Sequence, residues 1–311
     1  MSASTIECRK KNFAQGSTLI LCLSIIILFV IDFESTGRYV YEGIYFTVKC
    51  IIPSLFPYMI ITNVLIMTDS IKQLCTPIEW IMEKAGINSY SARVFICSVL
   101  CGAPIGAISI KRLYDSGDIT KKEADVLLSS LPPAGAAFVI LAVGAGILRS
   151  FYIGTIMWVF FCIYSFLYLL ILMPRKNSSR IRIDRSDDVG LIDALNESLK
   201  KSTASIINVS SVIIFFYTVT HTISEIMNSS GINRVIVSIV CSLLEMGAGC
   251  KSVESLPILK NEVCAFALGF GGISILMQVK GEGHDNSSAS TYLISKLISG
   301  IASSIFVYWV L

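Results

Sequence analysis

Long apolar stretches alternate with short polar loops along this 311-residue chain. They fall at about residues 16–33, 40–68, 92–110, 125–148, 150–173, 203–227, 232–250, 262–280 and 290–311. A helix needs ~20 apolar residues to cross ~30 Å of hydrocarbon, so the pattern predicts an all-α polytopic membrane protein. The clearest polar break is 174–202, with Arg175, Lys176, Arg180, Arg182 and Arg185, then Lys200 and Lys201. It divides the chain into a first span (1–39), a first repeat (40–173), a basic linker (174–202) and a second repeat (203–311).

Composition supports that class. Apolar residues make up 54% of the chain and charged ones only 15%, against ~25% charged in a soluble domain. Mean hydropathy is +0.71. A net charge of +3 is too small to point to nucleic acid, and no nucleic-acid partner is expected. The ten cysteines sit mostly inside apolar runs and form no CxxC pair, so they read as buried hydrophobes in a reducing setting. Two histidines, His221 and His284, leave little for a metal site; neither metal nor cofactor is expected, and the chain is not expected to be an enzyme. The run from Gly16 to Ile31 lacks a small-residue cleavage pattern after it, which predicts a retained first span.

Loop charge predicts the topology. Lys and Arg in short loops mark the cytoplasmic side, placing 1–12, 111–124 and 174–202 there. Three apolar stretches lie between the first two of these loops, so one of them cannot cross. Pro53 and Pro57 interrupt 40–68, which is therefore expected to fold as a re-entrant hairpin, with loop 69–91 on the outer face. The second half can be read inverted, with 203–227 as the matching hairpin or equally as a plain span. Two inverted repeats of hairpins and broken helices are the architecture of many secondary transporters.

Four places break helices at membrane depth: Gly102-Ala103-Pro104-Ile105-Gly106, Leu131-Pro132-Pro133-Ala134-Gly135, Gly247-Ala248-Gly249 and Gly269-Phe270-Gly271-Gly272. Each half holds two, in the same order. The flanks of the first and third match as well, Cys97-Ser98-Val99-Leu100 against Cys241-Ser242-Leu243-Leu244. Non-helical backbone in a bilayer is tolerated only against protein or a wet cavity, and half-helix N-termini favour anions. Glu245, immediately before the third break, is costly in a membrane and is expected to couple or gate. Gln278 is a neutral partner for it.

Other residues have structural readings. Lys111 and Arg112 anchor a span end by snorkelling. Thr120 and Glu123 form a capping box. His221 and Glu225, four apart, form an end-of-helix pair.

Several blocks together resemble the YlbJ/SpoVV sporulation integral membrane family, whose Gate (nucleoside-recognition) domains are similar to concentrative nucleoside transporters. They are Ile52-Pro53-Ser54-Leu55-Phe56-Pro57-Tyr58, Gly102 to Ala107 continuing through Gly117 to Ala124, Leu243-Leu244-Glu245-Met246, and Gly269 to Gln278. The chain departs from the family at Leu131 to Ala136, where an amide-bearing Asn-Asn-Ser-Gly-Pro-like run is usual. The resemblance implies a sporulation-associated transporter in the mother-cell (outer forespore) membrane, moving dipicolinate toward the forespore. A non-transporting assembly scaffold and a nucleoside-type transporter are the alternatives. Expected substrate-binding residues are Pro53, Ser54, Gly102, Pro104, Gly106, Gly135, Gly247, Gly271, Gly272, Ser274 and Gln278. Expected partners are the lipid bilayer, a small anion, a coupling cation or proton, and a second copy of the chain.

Overall fold

A computed structural model describes residues 3–68, 70–175, 190–281 and 286–311. Asp69, His284 and the linker residues Lys176, Arg180, Arg182 and Arg185 lie outside them, as do the side chains of Arg9, Lys10 and Lys11. The described residues form helices joined by short turns, with one isolated bridge and no sheet among them. Among them, five helices are long and apolar enough to cross a membrane: Phe33–Met67, Phe151–Leu172, Leu191–Ser229, Lys260–Gly281 and Ala289–Val310. Ile163, Ile171, Ile207, Ile294 and Ile305 stand more than half exposed on these helices. An outward-facing apolar belt of this kind is what a bilayer solvates.

The stretch expected to turn back at Pro53–Pro57 does not. Helix α1 (Ala3–Ile31) is followed by α2 (Phe33–Phe46), a π-helical turn (Thr47–Ile51) and α3 (Ile52–Met67), the last three forming one continuous rod. Pro53 has no N–H for the carbonyl of Lys49, and Pro57 none for that of Pro53. The π-turn absorbs the first defect by widening the ladder, with Ile52 N–H donating to Thr47 O, five residues back. Pro53 then falls in the first turn of α3, where its missing donor is harmless. Stretch 203–227 likewise lies inside one uninterrupted helix, α9 (Leu191–Ser229).

These two rods pack antiparallel along their lengths. Tyr39 Oη donates to Glu225 Oε2 at 2.6 Å, Phe46 stacks on Tyr217 with ring centroids 5.7 Å apart, and Asn63 donates to Ser202 Oγ at 3.1 Å. Gly43 permits the close approach, since a Cβ there would lie 3.3 Å from the Tyr217 ring. Glu225 thus pairs with Tyr39 and Arg38 of α2 rather than with His221, whose ring stacks on Tyr39 and lies tilted against Tyr217.

The hairpins are elsewhere, at two of the expected breaks. Helices α5 (Tyr90–Cys101) and α6 (Ala103–Asp115) meet at Gly102, with φ 85° and ψ −174°. Gly106 then lies against the Ser98 hydroxyl, although eight residues of straight helix would separate them by ~12 Å. The chain has reversed. Helices α10 (Arg234–Leu244) and α11 (Met246–Ser252) reverse at Glu245, which brings Gly249 onto Ser242: a Cβ on Gly249 would sit 2.6 Å from Ser242 Cα.

The other two breaks interrupt crossing helices. Helix α7 (Lys121–Ser130), opened by the expected Thr120–Glu123 capping box, unwinds through Leu131–Gly135 into a π-helical segment, Phe138–Ile147. Helix α12 (Lys260–Phe270) passes into α13 (Gly272–Gly281) through Gly271 and Gly272, both at positive φ. Each half closes with a straight helix, α8 (Phe151–Leu172) or α14 (Asn286–Val310).

Rod, hairpin, broken helix and straight helix therefore recur in the same order in both halves. The one addition is α4 (Ile71–Lys84) in the first half, which buries Ile71, Cys75 and Met82 on one face. Counting the interrupted helix Lys121–Ile147 as a crossing beside the five long helices, and each hairpin as returning to the side it enters, gives each half three crossings. That count makes the second half inverted relative to the first. It also puts loop 69–91 on the same side as loop 111–124, not opposite it as loop charge alone suggested.

Candidate transport site

All four breaks meet at the centre of the molecule. Gly102 pairs in an antiparallel bridge with Ala134, joining the first hairpin tip to the first broken helix. A Cβ on Gly102 would come within 2.9 Å of Gly135 N, so this contact requires glycine as well as a positive φ. Gly271 faces Pro133, at 3.4 Å from ideal Cβ to Cβ, which links the two broken helices. A Cβ on Gly272 would lie 3.1 Å from Glu245 Cα and 3.0 Å from Met246 N, so Gly272 closes the chain of contacts at the second hairpin tip.

Between them lies a cavity of about 30 Å³ lined by Cys101, Pro104, Pro133, Ala134, Glu245, Met246, Ile275 and Gln278, with Ile51, Leu55, Val209 and Ile213 from the two rods. That is room for one or two water molecules. A smaller neighbour, bordered again by Pro104 and Gln278, adds Ser205 and Asn208 of α9.

Glu245 is 2% exposed. Its Oε2 accepts from Ala248 N–H, so the carboxylate is the N-cap of α11. The carboxyl sits at the positive end of a half-helix and accepts a backbone N–H, an arrangement that would offset part of the desolvation of a negative charge there. The first half-helix differs: the N-cap of α6 is Gly102, and no side chain caps it. Gln278 is buried and forms no hydrogen bond with another described residue, which leaves its amide available to the cavity.

Of the expected binding residues, Pro104 and Gln278 line the cavity, and Glu245 lines it as the expected coupling residue. Gly102, Gly135, Gly271 and Gly272 form its backbone frame, and Gly247 packs against Phe46 beside Glu245. Ser274 is fully buried at the start of α13 with its hydroxyl unpartnered, yet it is not on the cavity wall. Gly106 serves the interior of the first hairpin. Pro53 and Ser54 do not line the cavity; because the rod is continuous, Ile51 at the end of the π-turn and Leu55 of α3 are the residues it presents there, and Ser54 Oγ donates to the backbone at Ile51 O.

Sequence reasoning passed over Lys296, which is 1% exposed in α14. It donates to Ser129 O at 3.1 Å and to Leu131 O, at the end of α7. The signal was present as a lone cation in the apolar run 290–311, since an ionisable residue inside a span is costly wherever it occurs.

The nine described cysteines are all unpaired, and no described group of His, Cys, Asp and Glu could hold a metal ion. The chain matches no family model, no curated protein and no solved structure.

Proposed function

We propose that this chain is a secondary transporter of a small anionic solute, with its N-terminus and its basic loops on the cytoplasmic side. The observation that carries this reading is the convergence of four helix breaks, two from each inverted half, on one buried cavity bearing a carboxylate. The asymmetry of the two hairpins supports an anionic substrate. Glu245 supplies a carboxylate to the N-terminus of α11, and a substrate carboxylate would take the corresponding place at the uncapped N-terminus of α6. By the resemblance to the YlbJ/SpoVV family, the solute is dipicolinate, moved toward the forespore across the outer forespore membrane. The cavity is far below the ~300 Å³ of a small-molecule pocket, so on this reading loading requires a hairpin to withdraw from its broken helix.

The test is uptake of labelled dipicolinate, with nucleosides and other carboxylates in parallel, into proteoliposomes under imposed ion or proton gradients. Gradient-dependent accumulation of a carboxylate is expected. A monodisperse preparation that accumulates nothing in the panel under any gradient would sink the transporter reading and leave the scaffold.

A further inference from the structure

Lys296 and the end of α7 form a second arrangement that the proposed anion site does not use. Ser129 O is orphaned by the sequence, because the residue four places on is Pro133, which has no N–H to give it. Leu131 leaves the helix at φ −53° and ψ 133°, and its carbonyl turns away with it. Both oxygens converge on the Lys296 ammonium, and the Tyr292 ring flanks it at 5.3 Å, within cation–π range. The negative end of the α7 dipole points the same way. No described carboxylate lies within ion-pair distance of this fully buried amino group.

Hydrogen-bond satisfaction alone does not account for a charge here. Ser295 Oγ lies 2.9 Å from Ser129 O and 2.8 Å from Tyr292 O, with one proton for the two, and a neutral side chain with two N–H groups reaching Ser129 O and Leu131 O would complete the pairing at far lower desolvation cost. Unwound carbonyls at the C-terminal end of a half-helix are the groups that coordinate cations in broken-helix transporters. We propose that the Ser129–Leu131 carbonyl pair is a monovalent-cation site whose resident cation is the chain's own Lys296 ammonium. A free alkali-metal or ammonium ion takes the site when that side chain is shortened. The consequence for transport, which rests on the reading above, is that the native protein needs no free cation at this position.

Thermal melting of purified protein tests the site without reference to transport. Wild type, Lys296→Ala and Lys296→Gln are compared in sodium, potassium, methylammonium and choline chlorides at equal ionic strength. The wild-type melting temperature should be the same in all four salts. Lys296→Ala should melt lower in choline by about 5 °C or more, and should recover at least half of that loss in one of the small cations. Lys296→Gln, which keeps a donor and loses the charge, should stay below wild type. Equal melting of Lys296→Ala in every salt, its failure to fold in all of them, or full wild-type stability of Lys296→Gln would each overturn the proposal.

Discussion

Gly102 and Gly117 share a positive φ, at 85° and 79°, but stand in opposite surroundings. Gly102 occupies a backbone region open to glycine alone, and an added Cβ would strike Gly135 N; around Gly117 nothing lies within 4 Å. Gly117→Ala should therefore cost only the backbone term, about 1 kcal/mol, whereas Gly102→Ala should cost at least ~3 kcal/mol. Melting of the two variants side by side checks this, and equal losses would count against the bridge at Gly102. Glu245 makes the second contrast. Glu245→Gln keeps an oxygen for Ala248 N–H and should fold normally while altering the ion or pH dependence of uptake. Glu245→Ala removes the cap and should lose about 1–2 kcal/mol as well. An unchanged gradient dependence in the glutamine variant would remove any coupling role. Glu245 stood out in the sequence because a carboxylate at membrane depth demands a partner. The partner itself, an amide three residues on, depended on the reversal of the chain.

Among elements, the prolines show how a local rule can be right about the defect and wrong about its consequence. Pro53 and Pro57 do remove two ladder bonds, but a π-turn upstream and close packing against α9 hold the rod together. Pro57→Ala should restore the bond to Pro53 O and leave the melting temperature unchanged or raised by a few degrees. A re-entrant tip would lose stability with the same change. At Gly102 and Glu245 the break becomes a full reversal, because small residues on the two arms permit contact: Gly106 lies on Ser98, and Gly249 on Ser242. At Gly271 the chain unwinds and continues, since α12 is held along α14 by contacts such as Gly269 on Gly300 and Ser303 Oγ donating to Ala265 O at 2.8 Å.

For the molecule as a whole, moving the hairpins resolves the odd count of crossings between the first two basic loops. Stretch 92–110 is the one that does not cross, so 70–91, 111–124 and the described ends at 175 and 190 share one side. Reporter fusions ended after residues 86, 117 and 175 should report one compartment, and those ended after 149 and 231 the other. A fusion at 86 reporting the opposite side from 117 would restore the original hairpin assignment. The same count makes the halves inverted, and that inversion lets the break from each half face its counterpart across the cavity. The buried ionisable groups follow the pattern: Glu245 sits at the positive end of one half-helix and Lys296 at the negative end of another.

The sequence by itself determined the membrane class, the division into halves, the four break points and the carboxylate beside one of them. Each is a local property: apolar run length, loop charge, and glycine or proline where a helix cannot continue. Only the tertiary structure decided which breaks reverse the chain and which merely unwind it. It alone brought the four breaks together, and it put Lys296 beneath carbonyls more than 160 residues away in sequence. A glycine or proline frees backbone groups without specifying what will satisfy them. That partner comes from whichever element packs alongside, and packing is set by the whole chain.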